Sequence, residues 1–544
     1  MSTFLLSWLL LFAAAPQKTT LTDNPDLCTI QGVVIKAGTG EPLHKALVEA
    51  WPAVNRRGED EAAATAETDA MGRFEMKGLA PGGYTLSAQR NGFVMQQYGQ
   101  QTPEGPAATL TLSPGQNVPN INFQMIPAAV ISGHVYDEDG EPIVSARVAV
   151  MHYRYINGQR QLVSGQFRQT NDLGEFRLFG LSPGQYFVQA TLVRTPFDAA
   201  KAKQGYPPIY YPGVPDASRA APIEVHGGDE FSGVDISLQP VRAVAVRGHV
   251  FSTGCGGGAQ DAMVFLVGQN TRLNMMQPSR VHETNGQSTF EISSVTPGSY
   301  YLTGMLSNEG KRCVGRQALE VSDADIDGVA LNLTPGVEIK GRVRVEGRLD
   351  SENISLTVIL SPKNMFLPFG SGTSDSTKPD GTFLLKNAYD GDYEIDVGNL
   401  PENYFLKSAR LDGIDVLTAG VTVDTKQSLG LLDIMVSANG ASVDGVISKD
   451  QQPFSGATVA LVPDPPHRGE RRLFKSATTD HTGHFLLQGL PPGDYKVFAW
   501  EKIEAGAYTS SEFLETYEKL GESVHITGGS RNSAEVDLIP AKEK

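Results

Sequence analysis

His467-Arg468-Gly469-Glu470 sets a histidine and a glutamate at a spacing that can share a zinc ion. It stands in a proline-rich loop with no distant histidine or general base beside it, and a chain with ten histidines produces such a spacing by chance. It is read as non-catalytic. His481 and His484 flank a turn glycine and read as a solvent-facing pair. His134 and His249 share one strand slot and read as outward structural residues. Asp323, Asp325 and Asp327 place three carboxylates in one loop, either a calcium site or a solvated acidic loop, with the second reading preferred. The chain has no G-x-S-x-G, no phosphate-binding P-loop and no dinucleotide fingerprint. The motifs therefore predict no enzyme, no catalytic residue, no metal site and no cofactor.

The aromatic residues carry more information. Trp51 follows Ala50 and Trp500 follows Ala499 in alternating strands, so both tryptophans are expected on the outward face. Tyrosine-rich segments contribute Tyr98, Tyr210, Tyr211, Tyr508 and Tyr517, with Phe513 beside the last two. Exposed rings of this kind stack on sugars or anchor a protein partner. The competing reading packs them under their own loops or between units. Solvent exposure of Trp500 and Tyr210 separates the two.

These residues are positioned by a repeat. Five times a phenylalanine is followed eight residues later by glycine and ten residues later by tyrosine: Phe74/Gly82/Tyr84, Phe176/Gly184/Tyr186, Phe290/Gly298/Tyr300, Phe383/Gly391/Tyr393 and Phe485/Gly493/Tyr495. The unit that recurs is a whole domain of about a hundred residues, and it uses nearly all the sequence. Each unit opens on a glycine-containing strand such as Gln31-Gly32-Val33, and a polar turn usually follows. An alternating strand such as Ala46/Val48/Ala50 comes next, then a Thr-Asp-x-x-Gly-x-Phe segment in its clearest copies. Pro81-Gly82 and its counterparts predict type II turns. Short strands with frequent turn signals and little helical periodicity define an all-β sandwich. One short helix is expected near 511–520, capped by serine and ended by Gly521.

The expected organisation is a leader at 1–17 and five sandwich repeats at 28–127, 128–240, 241–335, 336–439 and 440–541. Short connectors would hold the repeats as a semi-rigid rod. Phe4 to Ala15 is apolar and reads as a secretory signal peptide, too short to span a bilayer comfortably. No later run is long and apolar enough to span, so no membrane segment remains after its removal. Hydrophobic residues at 40% and charged residues at 19% fit folded domains, and a net charge of −16 disfavours nucleic acid. Three cysteines leave at least one unpaired. Cys255 and Cys313 share a repeat and are the natural disulfide pair in an oxidising compartment; Cys28 reads as a buried thiol.

The combination T-x-x-x-G-x-F…P-G-x-Y, clearest in repeats 1, 2 and 5, resembles the carboxypeptidase regulatory-like domain family. Repeats 3 and 4 depart from it, with Ser288 and Asn387 where glycines are expected. The resemblance implies seven-stranded Greek-key β-sandwiches of the prealbumin-like, carbohydrate-binding-like kind, related to collagen-adhesin B-type repeats. In the carboxypeptidases that named the family, such domains are non-catalytic appendages. An internal lysine–asparagine crosslink, known in some collagen-adhesin repeats, would need a lysine in the first strand; only Lys340 lies there, and it does not recur. The expectation is an exported, secreted, periplasmic or surface-associated binding protein. It would engage a polysaccharide or a cell-surface protein through Trp51, Tyr98, Tyr210, Tyr211, Trp500, Tyr508 and Tyr517. The alternative is a structural spacer or assembly scaffold with those rings buried between domains. A metallopeptidase-associated role is more remote.

Overall fold

The computed structural model describes residues 26–53, 62–192, 204–256, 258–269, 276–284, 286–308, 311–347, 354–363 and 372–541. The expected leader at 1–17 lies outside them. Five separate hydrophobic cores follow one another along the chain, within residues 28–125, 129–238, 244–333, 339–436 and 441–536. They are called units 1 to 5 below.

Unit 1 shows the plan. Strand β1 (Cys28–Lys36) pairs with β4 (Arg73–Leu79) on one side and, in parallel, with β8 (Asn117–Met125) on the other. The facing sheet runs β3 (Ala64–Glu67), β2 (Leu47–Pro52), β5 (Gly82–Gln89), β6 (Gln96–Gln97), with β7 (Leu110–Leu112) also on β5. Alternation turns Phe74, Met76 and Leu79 inward against Val48, Leu86 and Phe123. Burying each such side chain contributes about 1.5–3 kcal/mol. The opening strand keeps the same neighbours in every unit, antiparallel to the phenylalanine strand and parallel to a late strand. In unit 3 the two sheets join through Cys313↔Pro335 and Val314↔Thr334, giving one eight-stranded sheet.

The recurring residues are explained by backbone contacts. Thr68 is buried; its Oγ1 accepts from the Ala46 amide at 2.8 Å and donates to the Leu43 carbonyl at 2.5 Å. Thr170 and Thr479 repeat both bonds in units 2 and 5. The next residue shapes the turn: Asp69 accepts from the Met71 and Arg73 amides, and Asn171 and Asp480 do the same. Every signature tyrosine donates its hydroxyl to the carbonyl four residues earlier: Tyr84 to Ala80, Tyr186 to Ser182, Tyr300 to Thr296, Tyr393 to Tyr389 and Tyr495 to Pro491. The opening-strand glycines are required by close approach. A Cβ on Gly32, Gly133, Gly248, Gly341 or Gly445 would come within 2.5 Å of a carbonyl oxygen on the segment that runs beside it in parallel.

Two expectations about local structure are corrected. The Pro-Gly corners are not type II turns: Gly82, Gly298 and Gly493 have φ of 152°, 156° and 158°, far from the value near +80° that a type II turn needs, and Gly391 of the Asp-Gly corner in unit 4 has 147°. The left-handed residue lies earlier, at Gly78, Gly180, Ser294, Asn387 and Gly489 (φ 79°, 77°, 60°, 60° and 66°), where a bulge shifts the register against the opening strand. Asn387 holds the glycine's place there because asparagine tolerates that conformation. The helix is a single turn, α1 (Ser511–Glu515), capped by the Ser510 side chain and followed by a 3-10 turn at Glu518–Leu520.

The array is not a rod. Unit 5 returns to unit 1, where Gln101 Nε2 donates to the Ser455 carbonyl at 3.0 Å. It also meets unit 2, through Arg160–Glu504 at 3.5 Å and Tyr155–Phe513. Glu104 of unit 1 in turn holds His152 and Arg154 of unit 2, at 3.3 and 3.2 Å. Short connectors limit how far neighbours separate, but side chains chosen for contact decide how the ends meet. Among the described residues no helix is long and apolar enough to cross a membrane.

Candidate functional site

Trp500 ends the strand Gly493–Trp500, in which Val497 and Ala499 face the unit 5 core while Phe498 and Trp500 face away. The outward direction expected from alternation is present, but solvent exposure is not: Trp500 is 1% exposed. Residues 503–517 fold over that face and bury Ile503, Ala507, Leu514 and Tyr517 on it. Trp500 stacks on Phe498 (centroids 5.3 Å apart), meets Tyr517 edge-on at 5.9 Å and lies 6.1 Å from Phe513. Tyr155 of unit 2 closes the edge. Among the described residues the Trp500 indole N–H has no acceptor. Outside the rings, Glu518 receives Arg468 and Lys496, each at 2.7 Å, and the arginine contact leads in holding its carboxyl below the ordinary value. Tyr508 bonds Ser476 at 2.9 Å.

Tyr210 is likewise covered, 8% exposed, in an outer cluster with Met151 and Phe187 that Tyr153 and Leu162 extend. Burial pushes its phenol pKa up. Tyr211 is half-buried and turns to the core of the same unit. Tyr98 is half-buried edge-on to Phe123 at 6.3 Å. Trp51 is half-buried on β2 opposite Thr85. The seven aromatics thus split. Trp500, Tyr508 and Tyr517 share one cluster, Tyr210 belongs to another, and Tyr98, Tyr211 and Trp51 lie apart. They form no common platform.

The ionisable motifs resolve into local pairs. His467 Nδ1 lies 2.7 Å from Glu470 Oε1, and Glu470 also pairs with Arg472. Asp325 and Asp327 receive Arg247 at 3.1 and 3.2 Å, so a guanidinium holds the place considered for calcium. His484 is half-buried, His481 exposed, and Lys340 exposed on its strand. His134 pairs with Asp235 at 3.1 Å. Cys255 and Cys313 are joined by a disulfide, and Cys28 is buried with its thiol 3.0 Å from the Ser113 carbonyl. An open cleft of about 870 Å³ lies between units 4 and 5, where Glu346, Lys407, Asp464, Glu470, Arg472 and Asp494 contribute charge.

Sequence reading missed a surface cluster on unit 2, where Phe167 and Phe179 stand exposed beside Arg147, Arg168 and Arg177. The signal was present. Phe179 falls on the outward phase of a strand whose inward residues are Phe176 and Leu178.

With this geometry in place, the likenesses to known proteins are specific in one respect. Residues 29–126 match the family model described as the carboxypeptidase regulatory-like domain, and unit 1 is a domain of that kind. The chain is 28% identical over 136 residues to Serine-aspartate repeat-containing protein D of Staphylococcus aureus, covering 22% of this chain and 10% of that protein. It is 23% identical over 372 residues to Colossin-A of Dictyostelium discoideum, covering 62% of this chain and 3% of that protein. The chain therefore spans a tenth or less of these relatives. Among solved structures, the minor pilin GBS52 of Streptococcus agalactiae aligns at 14% identity and TM-score 0.23, over 40% of this chain and 96% of that one. The shaft pilin spaA of Lactobacillus rhamnosus GG aligns at 12% and 0.19, over 40% and 98%.

Proposed function

We propose that the protein is a non-catalytic, exported scaffold that works at or outside the cell surface, with its conspicuous aromatics serving cohesion within and between units. The observation that carries this reading is the burial of Trp500 and Tyr210 beneath segments of their own units, with Tyr155 of unit 2 sealing the Trp500 cluster. A sugar-stacking platform needs an open ring face, and neither residue has one. The Cys255–Cys313 pairing fits an oxidising compartment. The likeness of unit 1 to a domain type that is non-catalytic elsewhere points the same way.

The test compares Trp500→Ala with the unaltered chain in thermal unfolding and in binding to a panel of neutral polysaccharides. The expected result is a lower melting temperature, corresponding to about 3–5 kcal/mol for emptying a buried aromatic site, with no change in glycan binding. Glycan binding that disappears while the melting temperature is kept would restore the platform reading and defeat this one.

A further inference from the structure

Phe167 and Phe179 are 45% and 48% exposed, although unit 2 has a complete core without them. At the position of Phe179 the other units carry Lys77, Ser293, Lys386 and Gln488, so the sandwich itself does not ask for an aromatic there. Three guanidinium groups surround the rings. Arg147 lies 3.9 Å from the Phe167 centroid, and Arg168 and Arg177 lie 4.6 and 6.0 Å from that of Phe179.

The rings stand on the two edge strands where the sheets of unit 2 meet, Phe167 on strand Gln159–Gln169 and Phe179 on strand Glu175–Leu181. Gln166 Nε2 donates to the Phe179 carbonyl at 2.7 Å and joins the two strands, while Arg168 Nη1 donates within its own strand to the Phe167 carbonyl at 2.8 Å. Arg177 is answered by Glu230 at 3.1 Å. Among the described residues, no carboxylate lies within ion-pairing distance of Arg147 or Arg168. Partial burial draws the Arg147 pKa below its ordinary value, as expected of a cation without an anion beside it. In a chain of net charge −16, these two arginines offer positive charge held against rings.

We propose that this edge of unit 2 binds a carboxylate-bearing polysaccharide, a polyuronate. A guanidinium fork matches a carboxylate with two parallel hydrogen bonds, and stacking on a ring presets the fork. The half-open phenylalanines offer the flat apolar surface that suits the C–H face of a pyranose. A cluster along the edge where two sheets meet accepts a polymer lying along it, and the acidic remainder of the chain confines a polyanion to this patch. An acidic polypeptide could satisfy the arginines but would leave the ring faces without a flat partner. The proposal rests on the non-catalytic reading above and needs neither Trp500 nor the contact between units 2 and 5.

The test is titration of the full chain with sodium polygalacturonate at low salt, with its methyl ester, dextran and poly-glutamate as comparators. Polygalacturonate is expected to bind, the ester and dextran far more weakly. Affinity should fall about tenfold or more in Arg147→Gln/Arg168→Gln, a loss equivalent to about 1.4 kcal/mol, and should hold in the exposed control Arg219→Gln. Melting temperatures check folding. If the double variant melts early, Arg168→Lys, which keeps the charge and loses the fork, is expected to weaken binding in its place. No binding to polygalacturonate, or full binding by a folded double variant, overturns the proposal. Equal affinity for poly-glutamate replaces the polysaccharide with an acidic polypeptide. Trp500→Ala is expected to keep polygalacturonate binding, so failure of the cohesion reading and failure of this one are seen separately.

Discussion

Tyr155 of unit 2 meets Phe513 of unit 5 edge-on, with ring centroids 6.1 Å apart, across more than three hundred residues of sequence. With Arg160–Glu504 it forms part of the contact by which the fifth sandwich returns to the second. Tyr155→Ala is expected to weaken that contact by about 0.5–1.5 kcal/mol for the ring pair. The radius of gyration from small-angle scattering should rise while circular dichroism stays constant. An unchanged radius would mean that other contacts suffice to hold the ends together.

The buried threonine of the signature is a pin between backbone segments. Thr479→Val keeps the shape but leaves the Ala457 amide without its 2.9 Å acceptor. Unfolding in denaturant should show a loss of about 1–3 kcal/mol, the cost of an unsatisfied buried donor, and Thr479→Ser should recover most of it.

Alkaline pH should act through the signature tyrosines. Burial pushes the phenols of Tyr186 and Tyr495, and of Tyr389 beside the signature tyrosine of unit 4, up to about 12 from the ordinary 10.0. A raised folded-state pKa favours the protonated form, so its contribution to stability is complete below pH 10 and is lost as pH climbs from about 10 to 12. Tyrosine absorbance should show a late ionising group of residues, rising together with loss of tertiary structure. Ionisation of all tyrosines near pH 10 in the folded protein would contradict their burial.

The disulfide closes a 58-residue separation within unit 3. Cys255→Ser/Cys313→Ser is expected to cost about 2–4 kcal/mol, through a less constrained unfolded chain. Reducing agent should lower the melting of the unaltered protein by a similar amount and leave the double variant unaffected.

The repeat was legible because its residues act on nearby backbone. A threonine pin, an Asp turn, a glycine beside a crossing carbonyl and a tyrosine tied four residues back leave fixed spacings in sequence. What stood on the far side of each strand was not legible. Alternation assigns Trp500 to the outer face, but only folding shows that residues 503–517 cover it. The same limit explains Tyr210. Phe179 shows the reverse, an outward aromatic that truly lies open, and comparing repeats position by position would have singled it out. The Pro-Gly corner misled because the dipeptide fits a type II turn locally, while the sheet bulge at Gly78 and its counterparts had already supplied the left-handed residue.

The return of unit 5 to units 1 and 2 gives the chain a store of hidden length. A pull on its two ends is first resisted by side-chain contacts such as those at Gln101, Tyr155, Asn157 and Arg160, not by any sandwich. Such contacts part before a β-sheet core does, so the ends separate while all five cores stay folded. Tethered between two surfaces, the molecule would behave as an extensible link with a compact resting state, recovering its shape when the load is removed.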